Sequence, residues 1–377
     1  MNNDEFALTL HEQFKGKIAI TLRDTPDSRE KLSAYYSPGV AAVSRRIAED
    51  PSQLRKYTWT NNLVAVISNG SAVLGLGDIG AKAAMPVMEG KSLLFKHFAN
   101  IDSVPIVINA TTADEIVDTV SRIAPSFGAI NLEDIAAPIC FEVEDRLKDM
   151  LDIPVFHDDQ HGTAIVVLAG IINALKVRGN QTIQQQKITV VGAGAAGTAI
   201  AKLLSLYGAT DIAMVDSKGI IGPGRTDLNA EKQQLLQFNK QQRDGSIEDA
   251  IRDTDIFIGV SKAGLLTTEM VQSMNKDPII FALANPTPEI MPDVAKAAGA
   301  LIVATGRSDF PNQVNNAVAF PGIFRGALDN GITKITDAHK LAAAEVIASL
   351  VARPTAELII PSVFEKQLVP SIANVIR

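Results

Sequence analysis

From Lys187 onward short apolar runs alternate with longer amphipathic segments. KITVV, DIAMVD, DIFIGV, PIIFALAN and LIVATG read as strands; GTAIAKLLSLYG, TTEMVQSM and a polar stretch from Asn229 to Ile251 read as helical. Strands that alternate with helices through short turns predict a doubly wound, Rossmann-type parallel sheet. Upstream, SAVLGLGDIG and VPIVIN read as strands, and AKAAMPVMEGKSLLFKHF and DEIVDTVSRIA as helices, which makes a separate α/β unit. After FPGIFRGALDNG the pattern turns wholly helical, with AHKLAAAEVIASLV and SVFEKQLVPSIANVIR predicted to cover one of the two units. The expectation is an α/β chain of two domains, 1–160 and 161–377, with a helical segment from about 338 packing back. The longest apolar stretch, Thr163 to Val177, contains Gly170 and Asn173 and is shorter than the roughly 18 residues a membrane helix needs. It predicts a buried core helix and no membrane partner.

Composition narrows the picture. A chain of 377 residues exceeds what one core usually supports, so a cleft between two domains is the expected ligand site. Thirty-five basic against 42 acidic side chains leave a net charge of -7 with no basic block to neutralise phosphates, which argues against a nucleic-acid partner. The single Cys140 cannot form an internal disulfide, and MNNDEFALTL lacks the basic start and apolar run of a secretory signal; both point to the cytoplasm.

The pattern GxGxxG occurs twice, at Gly75/Gly77/Gly80 and Gly192/Gly194/Gly197. Both copies read as following a strand and opening a helix, so context decides between them. Only the second copy, with Ala195 and Ala196 inside it, meets an acidic residue at the end of the next strand, Asp216, which can accept hydrogen bonds from an adenosine ribose. That copy is the expected dinucleotide site. The first is expected to bend the backbone at Asp78 and aim the following helix, with Lys91, into the cleft. A carboxylate at Asp216 repels a 2′-phosphate, which favours NAD over NADP, although Lys218 beside it partly compensates.

Two acidic clusters precede that turn, Glu133/Asp134 and Asp158/Asp159. Carboxylate oxygens suit Mg²⁺ or Mn²⁺; the flanking His157 and His161 raise zinc as an alternative, but no HExxH or cysteine set accompanies them. Read alone, Glu133 and Asp134 fit a capped helix start equally well. Lys91, among apolar neighbours, is a general-base candidate if burial or an adjacent cation lowers its pKa, or else a snorkelling lysine. Tyr36 is either a proton donor or a residue packed beside Pro38-Gly39. Asn285 and Asn316 are turn residues or ligand contacts at the C-terminal ends of Rossmann strands.

Through AYYSPGVA, VLGLGDIG, MEGKSLLFK, NLEDI, VFHDDQHGTA, VVGAGAAG, ALANPTPE and NQVNNAVAFPGIFRGAL the chain resembles small bacterial malic enzymes along essentially its whole length. The resemblance implies an N-terminal substrate and metal domain and an NAD-binding domain. It also implies oxidative decarboxylation of malate to pyruvate and CO₂, by way of bound oxaloacetate. In it Tyr36 is the general acid and Lys91 the general base, Glu133, Asp134 and Asp159 ligate Mg²⁺ or Mn²⁺, and Asn285 and Asn316 contact substrate. It implies a homodimer too, with Tyr36 reaching a neighbour's site. Where animal members carry an arginine that holds the substrate carboxylate, this chain has Ala72, and Arg307 is the substitute considered. A metal-dependent oxaloacetate decarboxylase without net redox, and more remotely a nucleotide-sensing protein, are the competing readings.

Overall fold

The computed structural model describes residues 3–73 and 75–377. Ahead of the first sheet come α1 (Asn3–Phe14), α2 (Arg29–Tyr35), α3 (Val40–Glu49) and α4 (Leu54–Tyr57), and the last three bury no residue. Large apolar side chains here face outward, among them Phe6, Phe14, Ile20, Leu22, Tyr35 and Tyr36.

The first sheet is built from β1 (Leu63–Ser68), α5 (Ala81–Ala99), β2 (Asp102–Val107), α6 (Ala113–Ile123), β3 (Ala129–Leu132), α7 (Ile139–Met150) and β4 (Val155–His157). Its four strands run parallel in the order β2-β1-β3-β4. LVAVIS in β1 is buried at every position, the continuous apolar run that a parallel strand covered on both faces requires. The run SAVLGLGDIG, expected as a strand, is not one. Leu74 within it lies outside the described residues; the others form turns closed by a Val73–Gly77 bridge, because Gly75, Gly77 and Gly80 all take positive φ and cannot continue a ladder. The first glycine motif thus follows a turn rather than a strand. It still opens α5, and Lys91 lies on the buried side of that helix.

No residue separates β4 from α8 (Asp158–Val177). The second sheet follows, with β5 (Lys187–Val191), α9 (Ala195–Leu206), β6 (Asp211–Asp216), β7 (Gly219–Ile220), α10 (Ala230–Leu235), α11 (Ile247–Ile251), β8 (Ile256–Gly259), α12 (Thr268–Ser273), β9 (Ile279–Ala282), α13 (Pro292–Ala297) and β10 (Ile302–Thr305). Its order is β10-β9-β8-β5-β6-β7, parallel except for the short antiparallel β7. The winding reverses between β5 and β8, the crevice where α/β sheets bind ligands.

α8 is longer than its apolar stretch alone predicts, because it begins at Asp158. By length and composition it could cross a membrane. Its Ile165, Val167 and Ile171 instead join one apolar cluster with Val64 and Phe156 of the first sheet and Ile188 and Ile258 of the second. The chain ends in α14 (Phe320–Asn330), α15 (Asp337–Ser349) and α16 (Leu368–Val375). These do not cover one unit alone: α14 packs on α5 while α15 packs on α8, and Ile323, Ile347 and Ile372 enter the shared cluster.

Gly170 is where α8 meets β9. A Cβ there would lie 2.9 Å from Cε1 of Phe281 and 3.3 Å from Cδ1 of Ile360. Gly170→Leu should therefore overpack the seam and lower unfolding stability by about 1–3 kcal/mol. The check is a lower urea midpoint at unchanged slope, and an unchanged midpoint would mean the seam is looser than described.

Candidate functional site

β3 ends at Leu132, and the backbone then turns sharply, with Asp134 at φ 52. Glu133 and Asp134 are therefore not a capped helix start; they lie in the loop between β3 and α7, turned toward the first turn of α8. There the Asp134 N–H donates to Oδ2 of Asp159 at 2.8 Å. One oxygen each from Glu133, Asp134 and Asp159 lies within 4.8 Å of the others. Oδ2 of Asp134 is buried without a hydrogen-bond partner. Three converging carboxylates with an orphaned oxygen fit a hard divalent cation, whose charge would offset their mutual repulsion.

Lys91 enters from α5. Its ammonium donates to Oδ2 of Asp158, lies 3.0 Å from Oε1 of Glu133 and sits 4.5 Å above the Phe320 ring. It is a buried, paired lysine and not a snorkelling one. Asp158 thus holds the Lys91 ammonium from α8. Gly162 makes room for this arrangement, since a Cβ at that position would fall 1.9 Å from Oδ1 of Asp158 and 3.0 Å from Cβ of Asn316. Asn316 is thus packed beside the same helical turn.

Burial is the largest influence on every group in the cluster, followed by the neighbouring charges. It raises Glu133 to about 7, Asp134 to about 9 and Asp158 to about 6, and raises Asp159 as well, with adjacent carboxylates adding to each. On Lys91 burial pulls downward, but Asp158, Glu133 and Asp159 together overcome it and hold the ammonium charged. The expectation that desolvation lowers this lysine therefore fails without a cation, because three carboxylates outweigh the lost hydration.

The second glycine turn divides its duties. Gly192 has φ 121, and a Cβ there would lie 2.7 Å from the Val260 carbonyl across the crevice; at Gly197 it would lie 1.8 Å from the Gly192 carbonyl. A Cβ added at Gly194 would meet no atom within 4 Å, so the approach to the first turn of α9, Ala195 and Ala196, has room for a pyrophosphate. Asp216 ends β6 as expected, but its carboxylate is already engaged: Arg225 Nη1 lies 3.0 Å from Oδ1 and Lys232 Nζ 2.6 Å from Oδ2. Burial opposes ionisation there, yet these hydrogen bonds bring its pKa down to about 2. The repulsion argued from a bare Asp216 is accordingly reduced by the Arg225 and Lys232 side chains; Lys218 adds its backbone N–H to Oδ1 at 2.9 Å, while its ammonium pairs with Asp227 at 2.6 Å.

Asn285 lies in a loop beyond β9, before a cis Asn285–Pro286 bond. A Cβ on Gly75 would come within 2.3 Å of its carbonyl, so the first glycine motif abuts the Asn285 loop. Ala72 donates its N–H to the Asp134 carbonyl at 3.0 Å, directly against the carboxylate loop. Arg307 reaches the Pro286 carbonyl at 3.1 Å but commits its other nitrogens to Asp309 at 2.8 and 2.6 Å. Tyr36 is not brought to the cluster. It is 72% exposed, and its hydroxyl makes no hydrogen bond among the described residues.

Sequence reading missed three polar groups. Asn131 donates to Oε2 of Glu133 at 2.9 Å. Glu289, fully buried, accepts the N–H groups of Ser261 and Ala284 at 3.0 Å each, tying the loops after β8 and β9 together. Glu144 lies behind the first turn of α8. Its signal was visible as one acidic residue within the apolar helical stripe Cys140, Val143, Leu147.

Comparison with known proteins finds similar chains along the whole length. Residues 15–148 match the family model "Malic enzyme, N-terminal domain" and residues 160–375 match "Malic enzyme, NAD binding domain". The chain is 54% identical to a bifunctional malic/malolactic enzyme of Bacillus subtilis, over 100% of this chain and 92% of that protein. It is 50% identical to an NAD-dependent malic enzyme of Geobacillus stearothermophilus over 96% and 76%, and 47% identical to an NADP-dependent malic enzyme of Halomonas elongata over 94% and 84%. The crystal structure of an NAD-dependent malic enzyme from Thermotoga maritima superposes with a TM-score of 0.95 at 47% identity, covering 98% of each chain.

Charge in the cluster has a measurable consequence. A carboxyl whose folded-state pKa is raised stabilises the fold fully below its unfolded value near 4, and that contribution is lost as pH rises toward the folded value. With Glu133 at about 7 and Asp134 at about 9, chelator-treated protein should lose thermal stability from pH 5 to 8. Mn²⁺ should restore it more at pH 8 than at pH 5, and Asp134→Asn should flatten the dependence. Equal slopes with and without the substitution would contradict the burial of these charges.

Proposed function

The chain belongs to the malic enzyme family, and we propose on that premise that it catalyses oxidative decarboxylation of malate to pyruvate and CO₂ with reduction of NAD. The observation that carries this reading is the buried Lys91–Asp158 pair set beside three further carboxylates, in a chain that also carries an open glycine turn at the head of α9. A divalent cation, Mg²⁺ or Mn²⁺, held by Glu133, Asp134 and Asp159, would supply Lewis acidity and offset the carboxylate charge that keeps the proton on Lys91.

Lys91 accepts the proton of the C2 hydroxyl and, held by Asp158, cannot swing away from it. A dinucleotide held at the crevice between β5 and β8 by the Gly192/Gly194/Gly197 turn would supply the acceptor for the C2 hydride. Asn285 and Asn316 are assigned to the substrate, one on the loop pressed against Gly75 and the other on the short turn Asn316–Val318 packed beside the start of α8. Protonation at C3 after CO₂ departs falls to Tyr36. Because Tyr36 is exposed among outward-facing apolar side chains of the N-terminal helices, it is assigned to the site of a second copy, in a homodimer whose contact those helices form. NAD is the proposed oxidant, with discrimination over NADP smaller than a free Asp216 would give.

Malate-dependent nicotinamide reduction, followed with NAD and NADP separately and with and without Mn²⁺, tests the reading. Asp159→Asn should abolish both malate oxidation and oxaloacetate decarboxylation while NAD still binds, and Lys91→Ala should cost at least about 100-fold in malate oxidation. Oxaloacetate decay without malate oxidation in the intact protein would favour the non-redox decarboxylase instead.

Assignment of Tyr36 to a neighbour's site predicts complementation. Two inactive variants, Tyr36→Phe and Lys91→Ala, when co-expressed should recover roughly a quarter of wild-type activity, since half of randomly assorted dimers carry one intact site. No recovery would place Tyr36 in its own subunit's site or outside any site.

A further inference from the structure

α7 buries Cys140, Val143 and Leu147 against the first sheet, and the same face carries Glu144, 3% exposed. A carboxylate on an apolar stripe is costly unless its oxygens are fully satisfied. Four donors reach this one. The backbone N–H of His157 donates to Oε1 at 3.0 Å, and the Lys148 ammonium, one helical turn on, approaches the same oxygen at 2.7 Å. The Gln160 amide donates to Oε2 at 3.3 Å, and Nε2 of His161 meets that oxygen at 2.8 Å. Three of the four belong to residues 157, 160 and 161, the cap and first turn of α8. Between them in sequence stand only Asp158, which holds Lys91, and Asp159, one of the three converging carboxylates.

We propose that Glu144 is a positioning residue for the cation and for Lys91: by gripping residues 157, 160 and 161 from behind, it fixes the rotation of the first turn of α8, turning Asp158 to Lys91 and Asp159 to Glu133 and Asp134. The geometry supports this reading over simple core filling. The first turn of α8 has no side-chain cap of its own at His157, and no loop residue lies between β4 and the helix to adjust its angle. Orientation at that corner is therefore supplied from outside, and Glu144 is the group that meets both the cap amide and two side chains of the turn. The inference rests on the proposed ligand set but not on malate being the substrate.

The test is Mn²⁺ affinity, read from the free-ion electron paramagnetic resonance signal of folded protein. Glu144→Gln keeps the shape but gives one oxygen position a donor that opposes its present partners. Its dissociation constant for Mn²⁺ should rise about 10- to 100-fold, the usual cost of removing a residue that orients metal ligands. Turnover should fall while KM for NAD stays put, because the glycine turn is not touched. A merely structural residue would lower the melting temperature and leave the Mn²⁺ constant of the folded protein unchanged, and that outcome overturns the proposal. If Glu144→Gln does not fold, Gln160→Ala combined with His161→Gln removes two of the four contacts, and an Mn²⁺ affinity equal to wild type then overturns it. Failure of malate oxidation in a wild-type protein that binds Mn²⁺ would sink the malate reading alone, since the comparison of affinities still decides the role of Glu144.

Discussion

Three buried carboxylates, a half-buried fourth at Asp159 and one buried ammonium meet where β3, α5 and α8 converge, and that concentration of like charge is the constraint the surrounding structure answers. Burial raises the carboxyl groups and the carboxylates keep Lys91 charged, so neither component is stable alone in a dry interior. The supporting features follow from the need to hold such a cluster still. Asn131 anchors Glu133, Asp134 accepts a strained positive φ, and Gly162 gives up its side chain so that Asp158 can stand against the helix. The apolar continuity of α8 with both sheets provides the rigidity that permits the strain.

Much of this was legible in the chain because it depends on local pattern. The second sheet was readable from its alternation of short apolar runs and helices, and the duty of Gly192, Gly194 and Gly197 from their place between a strand and a helix. The acidic pairs stood out through residue type, and the fold brings Glu133, Asp134 and Asp159 together. The first sheet was less legible for a physical reason: β1, β3 and β4 are short parallel strands buried on both faces, with no alternation to mark them. SAVLGLGDIG imitated a strand in composition while its glycines were serving a turn.

What the sequence could not convey is partnership across space. Nothing near Asp216 in the chain says that Arg225 and Lys232 fold back onto it, so the charge argument about the ribose site began from the wrong electrostatic state. Lys91 is a similar case, since its pKa direction depends on three carboxylates more than 40 residues away in sequence. Tyr36 shows the opposite limit. Its motif marks it for chemistry, yet one folded chain leaves it facing outward.

The direct passage of β4 into α8 carries an evolutionary consequence. Each residue of an α-helix advances its side chains by about 100° around the axis, so inserting or deleting one residue at this junction would swing every later position to another face. On α8 the charged first turn and the apolar seam between the sheets share a single register. A length change there would expel the carboxylates from their cluster and the isoleucines from the core together. This corner therefore tolerates substitution far better than a change of length.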